Sequence, residues 1–190
     1  MAGILEIRWH ARGGQGAKTA SLLLAQAAAM EGKYSQGFPE YGPERMGAPM
    51  RGFTRISEEP ITLHCAIYEP EIVVVLDDTL LAAVDVAAGT PKDGVILVNT
   101  VKSAAEVREE LGLQDRKLFV IDATGIAIEE IGRPIPNAPM LGALIKVTGI
   151  LSLEAVIGQI KKKFSHGFRV EVLEGNVRAI QRAYEEVSEA

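Results

Sequence analysis

Near the start of the chain, His10-Ala11-Arg12-Gly13-Gly14-Gln15-Gly16-Ala17-Lys18-Thr19 sets glycines and basic residues in an order related to that of phosphate-binding loops. The dinucleotide fingerprint GxGxxG falls on Ala11, Gly13 and Gly16, so two of its three glycines are present. Alanine does not freely adopt positive φ, and the first turn must therefore be built differently from the standard one. The alternative pattern GxxxxGK[ST] fails at Ala11 and again at Ala17, which is inserted before Lys18-Thr19. One inserted residue turns Lys18 by about 100° on a helix, which argues against a nucleotide triphosphatase. What both patterns share survives: a strand runs into "GGQG" and then into a helix. Backbone N–H groups and the helix dipole then face one point and favour an anion. Glu40 lies roughly 20 residues beyond, at the distance of an acidic ribose ligand, but "GFPEYGPER" around it does not read as a clean strand end.

A second group lies in the glycine- and proline-rich run from Tyr34 to Ser57. Arg45, Arg51 and Arg55 stand there beside aromatic Phe38, Tyr41 and Phe53. Guanidinium groups pair bidentately with phosphate or carboxylate, and Glu40 and Glu44 in the same run are candidates to hold the arginines in place. His64 and Cys65 are neighbours in "ITLHCAIY", an alternating strand pattern that sends them to opposite faces and makes them no nucleophile–base pair. Asp77-Asp78, between an apolar run and Thr79, reads as a cap. The strip "KKKFSHGFR" (Lys161 to Arg169) is either the dipole-complementing end of a helix or a basic docking strip.

These residues need a scaffold, and the hydrophobic pattern supplies one. "ILEIRWH" (Ile4 to His10) alternates as a strand does, and "AKTASLLLAQAAAM" (Ala17 to Met30) is a well-buried helix. The composition of Tyr34–Ser57 predicts a long structured loop until about Ala48, then a strand. The β-branched runs "EIVVVLDD", "GVILVN" and "KLFVIDA" are central strands. "TLLAAVDVA" and "SAAEVREELG" between them have helical character. Further helices follow in "NAPMLGALIKVTGIL", with Asn137 as its N-cap, in "SLEAVIGQIKKKF", with Ser152 as its N-cap, and in "LEGNVRAIQRAYEEVSEA". The alternation predicts one α/β domain over residues 1–190, a three-layer α/β/α unit on a largely parallel or mixed, Rossmann-like sheet.

The chain's 47% hydrophobic and 24% charged residues fit a folded globular protein. A net charge of −5 without a long basic run speaks against nucleic acid as a main partner. No apolar run reaches the roughly 20 residues of a membrane span, and the N-terminus lacks a signal-peptide pattern, so the expected location is cytoplasmic. A single cysteine, Cys65, excludes an iron–sulfur cluster built from this chain's cysteines alone.

Taken together, "GGQG" after the first strand, "FPEYGPERMGAPMRGFTRIS", "NAPMLGAL" and "EGNVRAI" resemble the gamma subunit, or equivalent fused domain, of the 2-oxoacid:ferredoxin oxidoreductase family, of the pyruvate synthase type. The pieces occur in family order over most of the chain. The resemblance implies a subunit of a coenzyme A-acylating enzyme that turns a 2-oxoacid and coenzyme A into acyl-CoA, carbon dioxide and reduced ferredoxin. It implies alpha, beta and delta-type partner subunits and ferredoxin reached through the complex. Thiamine diphosphate, Mg2+ and iron–sulfur clusters would belong to those partners, and this sequence has no GDG motif of a thiamine site. The gamma part is associated with coenzyme A engagement and with packing on the catalytic subunits, and the isolated chain is expected to be inactive. By position, Gly13, Gly14, Gln15 and Gly16 are the candidates for the turn that meets coenzyme A phosphates. Arg45 and Arg51 are candidates for pairing with coenzyme A or with a partner subunit. The family usually has glycine where Ala11 stands. The competing reading is an independent dinucleotide-binding Rossmann-like protein.

Overall fold

A computed structural model describes residues 3–40, 47–113, 115–164 and 169–189. Its centre is a seven-stranded mixed sheet: β1 (Leu5–Arg12), β2 (Tyr34–Glu40), β3 (Pro49–Ser57), β4 (Ile72–Val75), β5 (Val95–Asn99), β6 (Lys117–Ile121) and β7 (Ser188–Glu189), in the order β2-β3-β1-β4-β5-β6-β7. Strands β1, β4, β5 and β6 run parallel, while β2, β3 and β7 add antiparallel edges.

Five helices cover one face: α1 (Ala17–Met30), α3 (Ala123–Ile131), α4 (Asn137–Thr148), α5 (Leu153–Phe164) and α6 (Val170–Glu186). They enclose the main core with Ile7, Trp9, Val74 and Leu97 of the sheet. The opposite layer is thinner. There α2 (Ala104–Leu111) and the segment after β4 cover Val73, Val75, Ile96 and Val98.

Three expectations are corrected by this structure, each for a physical reason. The run from Tyr34 is a strand to Glu40, not a loop. It pairs antiparallel with β3 at the edge of the sheet, where Pro39 needs no ladder hydrogen bond. Gly37 is required because a Cβ there would lie 2.7 Å from the Ser21 carbonyl oxygen, so α1 rests directly on β2. The expected helix "TLLAAVDVA" is a 3-10 turn, Asp78–Leu80, followed by irregular turns. The backbone beyond this turn bends instead around a buried guanidinium: Arg8 donates to Val86 O at 3.1 Å and Ala88 O at 2.6 Å at the end of the segment, and to Tyr68 O at 3.3 Å in the preceding loop. Finally, "ITLHCAIY" forms no strand, and His64 and Cys65 are exposed. That segment is held by Arg8 at Tyr68 and by Arg55, whose Nη2 lies 3.7 Å from Cys65 Sγ.

Smaller differences concern caps. Asn137 is the first residue of α4 and Pro136 precedes it as N-cap; the Asn137 Oδ1 accepts from Ala138 N–H at 2.9 Å. Ser152 caps α5 by accepting from Ala155 N–H, as expected. Ser103 closes a capping box with Glu106 at the start of α2. Among the described residues no helix is long and apolar enough to cross a membrane.

Candidate functional site

Strand β1 continues to Arg12, so Ala11 is buried, extended and paired with Met50 rather than part of a turn. The missing glycine of the fingerprint is thereby explained: the reversal begins one residue later. Arg12 O accepts from Gln15 N–H at 3.2 Å, and Gly14 stands at φ 102°, as the third residue of a type II turn requires. Gly16 follows at φ 86° as the N-cap of α1, and a Cβ on it would come within 2.5 Å of Asn137 Nδ2. Only glycine meets both demands. Two helices, α1 and α4, thus begin side by side at this turn.

The turn lies where the sheet changes direction. From β1 the chain leaves through α1 to β2 and β3 on one side, whereas β4, β5 and β6 extend to the other. In open α/β sheets the crevice beyond the carboxyl ends of two such strands is where ligands bind. Here it is built by Gln15 in the turn after β1 and by Asp77 and Thr79 just after β4. The Gln15 Oε1 accepts from Arg12 N–H at 2.8 Å, and its Nε2 donates to Asp77 Oδ2 at 2.5 Å. Asp77 Oδ1 accepts from Thr79 N–H at 3.0 Å and from the Thr79 hydroxyl. The Arg12 guanidinium returns to the cluster, donating from Nε and Nη2 to Thr79 Oγ1 and from Nη1 to Gly47 O. Its Nε stands 3.6 Å from Asp77 Oδ2. Burial pushes the Asp77 carboxyl upward, but the hydrogen bonds from Thr79 and Gln15 and the charge of Arg12 outweigh it, leaving the group below its ordinary range.

The sequence-derived candidates divide accordingly. Gly13, Gly14, Gln15 and Gly16 form one turn, although Gly13 N–H donates to Ala48 O and Gln15 N–H to Arg12 O. Arg51 lies elsewhere. It pairs across from His10, on the sheet face opposite α1, and Glu40 grips it bidentately through Nε and Nη2. Glu40 is therefore the clasp of Arg51, and Glu44 and Arg45 lie outside the described residues. So do residues 165–168 of the basic strip. Asp77 is a cap, as its sequence context suggests, but its link to Gln15 carried no sequence signal because it depends on β4 lying beside β1. Arg12 was legible in principle, as a cation at a strand's end inside the glycine run.

Beneath this edge sit two buried titratable groups. His10 is 5% exposed and accepts at Nε2 from Arg8 Nε at 3.0 Å, which fixes the neutral tautomer with its proton on Nδ1. Burial, then the charges of Arg8 and Arg51, bring its pKa down to about 3. A permanently neutral imidazole is no proton shuttle near pH 7. Among the described residues no group of three His, Cys, Asp or Glu side chains is placed to hold a metal.

Comparison with known proteins now bears on this geometry. The family model described as pyruvate ferredoxin/flavodoxin oxidoreductase matches residues 6–186. Pyruvate synthase subunit PorC of Thermotoga maritima is 54% identical over 96% of this chain and 94% of its own. Its crystal structure, described as a pyruvate oxidoreductase subunit, superposes with a TM-score of 0.88 over 98% of both chains. The pyruvate/ketoisovalerate oxidoreductases common subunit gamma of Pyrococcus abyssi is 51% identical over 96% of each chain. A 2-oxoglutarate:ferredoxin oxidoreductase from Magnetococcus marinus, solved with 2-oxoglutarate, coenzyme A and succinyl-CoA, shares the fold at a TM-score of 0.75 and 18% identity. That match covers 98% of this chain and 32% of the larger one.

Proposed function

This chain belongs to the pyruvate ferredoxin/flavodoxin oxidoreductase family as a gamma subunit of the oxidoreductase, and from that premise we propose that it helps bind coenzyme A and assemble the complex. The reaction is the oxidative decarboxylation of a 2-oxoacid, with pyruvate as the proposed substrate. The bond between the carbonyl and carboxylate carbons breaks, carbon dioxide leaves, and the thiol sulfur of coenzyme A bonds to the acyl carbon. The thiol proton is released and an electron pair passes to ferredoxin. Thiamine diphosphate, Mg2+ and iron–sulfur clusters reside in alpha, beta and delta-type partners, and the working location is the cytoplasm.

The observation that carries the coenzyme A reading is the Gly13–Gly16 turn at the switch point, opening on the uncapped start of α1 beside Arg12. Three of the five guanidinium N–H groups of Arg12 are committed to Thr79 and Gly47, and the side chain is one-third exposed, so the remaining donors suit a phosphate of coenzyme A. Gly14, Gly16 and the N-terminus of α1 contribute the dipole and close backbone approach; Gly13 and Gln15 shape the turn. Arg45 and Arg51 stand as contacts to coenzyme A or to a partner subunit. The clasp of Arg51 by Glu40 favours the partner role for that residue.

Chemistry stays with the partner subunits. This chain's contribution is orientation of the thiol carrier, which lowers a barrier by removing translational and rotational freedom. Affinity purification of the tagged chain from its source tests the proposal. Recovery with thiamine- and cluster-bearing subunits supports it, whereas recovery without them would refute the assembly role; the family match leaves the independent dinucleotide-binding reading unsupported.

A further inference from the structure

We infer that Asp77 is a positioning residue for coenzyme A binding, acting through the Gln15 amide to fix the path of the Gly13–Gly16 turn. This inference rests on the coenzyme A reading above.

The hydrogen bonds form a closed ring that starts and ends on Arg12: backbone N–H to Gln15, Gln15 to Asp77, Thr79 to Asp77, and the Arg12 guanidinium to Thr79. Each link has only one workable polarity. Because Gln15 Oε1 accepts the Arg12 N–H, its Nε2 faces Asp77 and needs an acceptor there. The cap on Thr79 uses Oδ1 alone, and an asparagine would serve it equally well. The second carboxylate oxygen is what the Gln15 amide requires.

A turn holding Gly14 and Gly16 in the left-handed region has wide backbone freedom when unrestrained. The ring removes that freedom before ligand arrives. It spans the two strands bordering the crevice, and Leu76 N–H bonded to His10 O at 2.8 Å fixes the end of β4 against β1. The turn is thereby tied to β4 as well as to its own strand, so its donors are set without ordering cost at binding.

A polarity swap tests this. In the reconstituted complex, Asp77→Asn places an NH2 group against the Gln15 NH2, and Gln15→Glu places carboxylate against carboxylate. The double variant rebuilds the ring with the link between positions 15 and 77 reversed, the introduced carboxylate at 15 accepting from both Arg12 N–H and the amide at 77. Each single change is expected to raise KM for coenzyme A on the order of 10-fold, more than it lowers kcat, with the KM for the 2-oxoacid little changed. The double variant is expected to return KM for coenzyme A to within about threefold of the parent. Melting temperatures of all four complexes are recorded alongside.

A double variant as impaired as the worse single one overturns the inference. So do single variants with parental KM and melting temperature. Melting temperatures that fall and recover while KM for coenzyme A stays flat would show an intact clamp and refute the coenzyme A reading of the turn.

Discussion

Acidification should weaken this fold through one imidazole. His10 is buried beside the Arg8 guanidinium, with Arg51 across the strand, and its pKa in the folded chain is about 3 against an ordinary 6.5. The unfolded chain therefore takes up a proton that the folded chain refuses. Stability from this group is full above the unfolded value and drains away as pH falls through 6.5, until the folded value near 3 is passed. In that window the loss is about 1.4 kcal/mol per pH unit. Between pH 7 and pH 5 it amounts to about 2 kcal/mol, or roughly 4–8 °C of melting temperature for a chain of this size. Thermal and urea melts at pH 7, 6 and 5 should show this slope in the parent and lose it in His10→Asn, which cannot titrate. NMR should find the His10 imidazole neutral with its proton on Nδ1 down to about pH 4. An imidazole that titrates near its ordinary value, or an equal slope in both proteins, would refute the electrostatic reasoning.

Helix glycines give a contrast of sign. Gly142→Ala in α4 drives a methyl into the Ile180 carbonyl of α6 and should cost at least about 1–3 kcal/mol in thermal melts. Gly158→Ala in α5 meets nothing nearer than Met30 Cε at 3.6 Å and should be neutral or stabilise by up to about 1 kcal/mol. Gly16→Ala should lose about 1–2 kcal/mol from its positive φ alone and displace Asn137, lowering the melting temperature and raising KM for coenzyme A in the complex. Arg8→Lys replaces a planar fork that reaches three carbonyls and His10, and urea unfolding should register a loss of at least about 2 kcal/mol.

How much of this was legible in the sequence depends on whether the signal is local. Periodicity located the parallel strands and the helices α1, α2, α4, α5 and α6, because an apolar stripe or a β-branched run carries its own address. It failed where a distant side chain decides the backbone, as in the segment after β4, where the chain bends so that the Val86 and Ala88 carbonyls meet Arg8. It failed again at Tyr34–Glu40, where glycine and proline read as breakers but serve an edge strand pressed onto α1. The candidate site followed the same rule. The glycine turn was visible, since its conformation is written in the glycines themselves. Its partner Asp77 was not, because only the adjacency of β1 and β4 brings Gln15 to it. Arg51 was a candidate through the resemblance alone, and only its pairing opposite His10 reveals that its side chain lies on the sheet face away from α1.

The most direct test of the central claim is turnover by the reconstituted complex with and without this chain. Pyruvate- and coenzyme A-dependent reduction of ferredoxin should require it, and the chain alone should give none. An Arg12→Met chain that still assembles should restore turnover only at raised coenzyme A. Full activity from the partner subunits alone, or an unchanged KM for coenzyme A with Arg12→Met, would contradict the role assigned here.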